Sequence, residues 1–124
     1  MTQLLVIALG GAFGSVMRFL MSTWVYSALG RGFPYGTLAV NIIGSLLMGF
    51  LTVLLIERMS LGPEWRAAIL IGVLGGFTTF SSFSIETFNL IEAGAHAKAI
   101  ANMVLSVVVC IGATWIGVIA GRQL

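Results

Sequence analysis

Apolar positions run along this chain in four long blocks, at about 4–29, 35–56, 65–91 and 97–120, separated by short stretches of polar residues, glycine and proline. Blocks of that length match the roughly 20 apolar residues a helix needs to cross a hydrocarbon core of about 30 Å. The separators read as turns. Gly30-Arg31-Gly32-Phe33-Pro34 closes the first block, and Glu57-Arg58 closes the second ahead of Ser60-Leu61-Gly62-Pro63-Glu64. Glu92-Ala93-Gly94-Ala95-His96 divides the third block from the fourth, which ends at Gly121-Arg122. With connections this short, successive helices are neighbours, and the pattern predicts an all-α membrane protein, one four-helix transmembrane domain over 1–124. The opening Met1-Thr2-Gln3 lacks the basic start of a signal peptide, so the first block is expected to stay as the first span.

Composition narrows the functions available. The chain is 59% hydrophobic and 8% charged, against roughly 25% charged in a soluble domain, with a mean hydropathy of +1.09. No face is left for water, so any function is carried out inside the bilayer. A lone Cys110 and a lone His96 exclude an intramolecular disulfide and metal-ligand spacing. The basic residues Arg18, Arg31, Arg58, Arg66, Lys98 and Arg122 are scattered, which excludes nucleic acid as a partner. Four spans place Arg58, Arg66 and Arg122 on one side of the membrane and Arg31 and Lys98 on the other. Three against two is little bias under the positive-inside rule, so the chain is expected to insert both ways round. Two oppositely inserted copies would form an antiparallel homodimer with its two-fold axis in the membrane plane. Small residues at helical spacing, Gly10 and Gly14, Ser45 and Gly49, Ala113, Gly117 and Gly121, serve close packing within one bundle or between subunits.

The third block carries the densest chemistry. From 65 to 91 it would measure about 40 Å as a continuous helix, longer than the hydrocarbon core. Gly75-Gly76 followed by Thr78-Thr79 and Ser81-Ser82 weakens helix at mid-membrane depth and predicts a break near 75–78. Carbonyls freed there could coordinate a small cation; an intact helix with its hydroxyls bonded back to the backbone is the alternative. Thr78, Ser82 and Glu86 share one helix face. Phe80 and Phe83 lie on a common side, where ring edges suit an anion, ring faces a cation, and either can simply pack. Asn41, midway along the second block, needs partners for its amide: an anion or another helix. Arg18 within the first block either snorkels, meets freed carbonyls or lends the interior positive potential. Asn102, Ser106 and Thr114 continue a polar path or join helices.

Three segments then carry a resemblance. Gly10-Gly11-Ala12-Phe13-Gly14-Ser15-Val16-Met17-Arg18-Phe19, Gly36-Thr37-Leu38-Ala39-Val40-Asn41 and Gly75-Gly76-Phe77-Thr78-Thr79-Phe80-Ser81-Ser82-Phe83-Ser84-Ile85-Glu86 occur in that order across all four spans. Together they resemble the Fluc, or CrcB-like, fluoride-channel family; the third segment is the most specific. Position 82 is Ser where many members carry Thr, which keeps the hydroxyl. The resemblance implies an antiparallel dual-topology homodimer with a broken third helix and two narrow fluoride pathways in the bacterial inner membrane. It implies passive fluoride export, and hence fluoride resistance, with a structural sodium ion at the dimer centre held by the backbone carbonyls of Gly75 and Thr78. Asn41 matches the pore amide, and Phe80 and Phe83 match the phenylalanines whose edges face fluoride. Ser81, Ser82, Thr37 and Thr114 become candidates for a hydroxyl track, and Glu86, where the motif ends, is placed with them in the fluoride pathway.

Competing classes are weaker. A small four-helix multidrug exporter needs a carboxylate in its first helix, where this chain has Arg18 and no acid. An enzyme has no support, because no nucleophile and base can be paired. A membrane scaffold would use Asn41 and the third-block cluster only to join helices, and would pass no ion.

Overall fold

In the computed structural model, which describes residues 1–59 and 61–124, the chain is helical in four spans; Ser60, within the second predicted connection, lies outside the described residues. The spans are Thr2–Leu29, Tyr35–Arg58, Pro63–Glu92 and His96–Gln123. Each extends beyond or matches the predicted apolar block, because winding continues into charged residues where hydropathy has already fallen. We call the first α1 (Thr2–Leu29) and the second α2 (Tyr35–Arg58). The third comprises α3 (63–77) and α4 (Ser81–Glu92), and the fourth is α5 (His96–Gln123). Two stretches, Val53–Arg58 in α2 and Ala67–Val73 in α3, are wound as wider π-helix. Every span is long and apolar enough to cross a membrane, and the chain is a multi-pass membrane protein.

Turn chemistry explains the ends. Gly30 stops α1 at a φ of 85° while its N–H still donates to the Tyr26 carbonyl at 2.8 Å, a backbone conformation that costs glycine least. Gly94 does the same between α4 and α5 at a φ of 80°. Pro63 occupies the first turn of α3, where its missing N–H has no partner to lose.

The helix ends confirm how the basic residues are divided. Arg58 donates to the Arg122 carbonyl, and Arg122 Nε lies 3.8 Å from Glu57 Oε1, so α2 and α5 finish together. Lys98 Nζ donates to the Gly32 carbonyl at 3.1 Å at the opposite end. These exposed contacts mark topology more than they stabilise it.

Packing is carried by missing side chains. α2 lies along α5, and α1 along α3. A methyl group on Gly49 would strike the Thr114 carbonyl, and one on Gly117 the Leu46 carbonyl, so α2 and α5 approach backbone to backbone. Gly10 and Gly14 do the same against the Ala68 and Val73 carbonyls, and a Cβ on Gly72 would lie 2.9 Å from the Ile7 carbonyl. The small residues at these positions therefore serve packing within one chain. Lipid gives helices no hydrophobic reason to associate, and close approach supplies dispersion instead. Large apolar side chains point outward: Leu4, Phe13, Phe19, Trp24, Trp65, Ile111 and Trp115 are each more than half exposed. In water such a surface would be a liability; in a bilayer it faces the solvent it suits.

This packing sets an expectation for glycine replacement. Gly49→Ala or Gly117→Ala should lower the thermal midpoint for loss of helical circular dichroism in detergent, since overpacking costs about 1–3 kcal/mol. Gly112→Ala, where the added carbon would meet nothing beyond the adjacent backbone of its own helix among the described residues, should leave that midpoint unchanged or raise it. Equal midpoints for all three would contradict the backbone-contact account.

Candidate functional site

The site is built where α3 gives way to α4. Helical winding ends at Phe77; the Thr78 N–H and Oγ1 both donate to the Leu74 carbonyl at 3.1 Å, but Thr78 turns extended at a φ of −86° and ψ of 160°. Residues 78–80 lie outside helix, and α4 begins at Ser81. The cause is Asn41, reaching across from α2. Its Nδ2 donates to the Thr79 carbonyl at 2.8 Å and its Oδ1 accepts the Thr79 N–H at 2.8 Å. One side-chain amide thus replaces both helical partners of one residue, Thr79. Thr79 Oγ1 in turn accepts the Ser82 N–H at 3.2 Å, and Arg18 Nε donates to the Gly76 carbonyl at 3.2 Å. Among the described residues, no N–H donates to the carbonyl of Gly75 or of Thr78.

The non-helical residues fall later than the glycines indicate. Gly75 and Gly76 remain in helix, and Gly76 is used for packing, with a Cβ there placed 2.7 Å from the Gly11 carbonyl. Glycine marks where helix is weak, but the partner offered by Asn41 decides which peptide leaves it.

A cavity of about 330 Å³ opens beside these residues, and Asn41, Thr78, Thr79, Phe80 and Phe83 line it with Ser45, Ser106 and Cys110. Among the described residues, no charged side chain lines it. The Phe80 and Phe83 rings lie 5.3 Å apart, tilted by 47°, and Phe80 is 77% exposed. Asn41 Nδ2 carries two protons and gives one to Thr79, and the other has no protein acceptor among the described residues. Phe83 is held from behind: the Thr87 hydroxyl donates to its carbonyl at 2.7 Å and accepts from Asn102 Nδ2 at 2.8 Å.

Other candidate residues are placed elsewhere. Thr37 Oγ1 donates to Glu86 Oε1 at 2.5 Å, and the Tyr26 hydroxyl donates to Oε2 at 2.7 Å. Glu86 and Tyr26 line a second cavity of about 220 Å³ with Arg31 and Asn89. Thr114 Oγ1 donates to the Ser45 carbonyl at 3.1 Å, joining α5 to α2. Ser81 is exposed with its Oγ 3.5 Å from Thr79 Oγ1, and Ser82 is half-buried. Sequence reasoning singled out neither Thr79 as the partner of Asn41 nor Tyr26. A tyrosine in an apolar span needs a partner for its hydroxyl, and that was the available signal for Tyr26.

Comparison with known proteins gives one consistent result. The family described as CrcB-like protein, Camphor Resistance (CrcB), matches residues 5–118. A Coxiella burnetii protein named fluoride-specific ion channel FluC is 55% identical over 123 residues, 98% of this chain and 99% of that relative. One from Citrifermentans bemidjiense with the same name is 50% identical over 124 residues, the full length of both. A Methylococcus capsulatus protein, also so named, is 53% identical over 122 residues; this chain spans about half of that longer relative, 54% of its length.

The Asn41 contact has a direct test. Asn41→Leu keeps the branched shape and leaves the Thr79 N–H and carbonyl unpaired, at a cost of up to about 1–3 kcal/mol for each part-buried group. Amide hydrogen exchange at residues 79–82 should then speed up relative to α2 and α5, as read by mass spectrometry in detergent. Unchanged exchange there would show that Asn41 does not hold this backbone.

Proposed function

The chain belongs to the CrcB-like family, and from that premise we propose that it is a fluoride-selective ion channel, exporting cytoplasmic fluoride passively down its electrochemical gradient. Relatives covering its full length carry the name fluoride-specific ion channel. The observation that carries the reading is the uncharged cavity beside residues 78–80, where the amide of Asn41 meets the ring pair Phe80 and Phe83. Fluoride holds its water tightly, so a selective path must offer close donors in place of that water without trapping the ion. An amide proton and positive ring edges are donors of that moderate kind. Ser81 and Ser82 extend them along the start of α4. Thr37 and Thr114, whose hydroxyls are committed to Glu86 and to Ser45, hold the elements that form the path.

In this reading the working unit is an antiparallel homodimer of four-helix protomers with two pathways, in the bacterial inner membrane, its third span broken at 78–80. The near-balance of basic residues at the two ends favours insertion both ways round. A sodium ion at the dimer centre fits the residues present. The carbonyls of Gly75 and Thr78 lack N–H donors among the described residues, and two from each copy would give an all-oxygen set suited to a hard cation. When bound, sodium would neutralise those dipoles across the two-fold axis. Arg18 draws the Gly76 carbonyl the other way, toward α1.

Purified protein in potassium-loaded liposomes tests the proposal. After a potassium ionophore is added, fluoride should leave rapidly and chloride should not, as followed with ion-selective electrodes and no imposed proton gradient. Phe80→Ile and Phe83→Ile should each slow fluoride efflux by about tenfold, the equivalent of roughly 1.4 kcal/mol at the barrier. No fluoride release from folded, reconstituted protein would overturn the channel reading, and normal release in both variants would remove the rings from the path.

A further inference from the structure

Glu86 is a carboxylate set within a span that is proposed to carry an anion, and both of its oxygens are engaged. Thr37 Oγ1 donates to one at 2.5 Å and the Tyr26 hydroxyl to the other at 2.7 Å. Tyr26 is itself fixed from two sides. The Arg31 guanidinium lies over its ring at 4.5 Å, and the ring edge fills the space left by Gly36, where a Cβ would meet Tyr26 Cδ2 at 2.6 Å. The hydroxyl is therefore delivered to Glu86 by a ring with little freedom to move.

Helix geometry says where the carboxylate would turn without these donors. Helical side chains lean toward the preceding turn and cover positions i−3 and i−4. For Glu86 those are Phe83 and Ser82. A released carboxylate would bring negative charge to the ring edge and hydroxyl proposed to receive fluoride, repelling the ion and competing for the same donors. We infer that Tyr26 is a positioning residue for the anion path: with Thr37, its hydroxyl keeps the Glu86 carboxylate turned away from Phe83 and Ser82. The role rests on the fluoride-channel reading and deepens it, assigning to the end of α1 a part in permeation.

Fluoride efflux from potassium-loaded liposomes distinguishes this role from a purely structural one. Tyr26→Phe removes one oxygen and keeps the ring between Arg31 and Gly36. It should slow efflux by about tenfold, while Tyr26→Phe combined with Glu86→Gln should return efflux to within about twofold of Glu86→Gln alone, because the freed side chain no longer carries charge. Unchanged efflux in Tyr26→Phe, or a loss that Glu86→Gln does not relieve, would overturn the inference. If Tyr26→Phe fails to elute as wild type, Thr37→Val removes the other donor at nearly constant volume. The same loss and the same rescue are expected of it, and their absence counts equally against the proposal. Wild-type protein that releases no fluoride would instead overturn the channel reading, and the positioning role with it.

Discussion

A peptide group that leaves the helical ladder inside a bilayer has no water to turn to, and the arrangement around Thr79 answers that constraint. Asn41 gives Thr79 a donor and an acceptor at 2.8 Å each. Its reach depends on how close α2 stands to residues 78–80, and Gly44 permits that approach, since a Cβ there would strike the Thr78 side chain. Arg18 reaches the Gly76 carbonyl only because Gly10 and Gly14 let α1 lie close against α3. Small residues thus set interhelical distance, distance sets which polar groups meet, and those meetings let three residues stay out of helix. Filling either approach would act on residues 78–80.

α4 is attached in a different way from the other helices. Thr87 is its single buried residue among those described, so apolar burial does little to locate it. Polar contacts do so instead: Thr79 with Asn41 just before it, Glu86 with Thr37 and Tyr26, and Thr87 with Asn102. Hydrogen bonds between membrane helices average about 0.6 kcal/mol and reach about 1.7, so no one of them dominates. Their value lies in direction. Apolar surfaces slide past one another at small cost, whereas three hydrogen-bonded contacts on different faces fix both the rotation and the height of a helix. Phe80 and Phe83 are consequently presented at a defined place without being buried.

What could be read from the residues alone follows the same division. The four spans, their turns and the small-residue seams depend on run length and local spacing, and they lie where the sequence indicates, within a few residues at each end. Asn41, Phe80 and Phe83 stand out as polar or aromatic residues in unusual company, and they line one cavity. Pairings between distant segments were not legible. Asn41 and Thr79 are 38 positions apart and Tyr26 and Glu86 are 60 apart, and no local pattern links either pair. For that reason the glycines drew the expected departure from helix to 75–78, while the structure places it at 78–80. Thr37 and Thr114 likewise look alike in sequence, each a lone hydroxyl in an apolar run, yet one serves a carboxylate and the other a backbone carbonyl.

The distribution of formal charge is the last constraint on how such a cavity could pass an ion. Arg18 and Glu86 are the charged side chains set away from the ends of the spans, and neither lines the cavity that holds Asn41 and the ring pair. Each is spent on protein: Arg18 on a backbone carbonyl, Glu86 on two hydroxyls. A bare cation facing the path would hold a small, hard anion too firmly to release it, and a bare carboxylate would keep it out. With neither charge lining it, the cavity presents the Asn41 amide, the rings of Phe80 and Phe83 and hydroxyl side chains, none of them carrying a formal charge. Conduction requires that balance, in which entry is favourable and exit is not prevented. In the proposed channel that balance would depend as much on keeping Glu86 held by Thr37 and Tyr26 as on the groups that face the cavity.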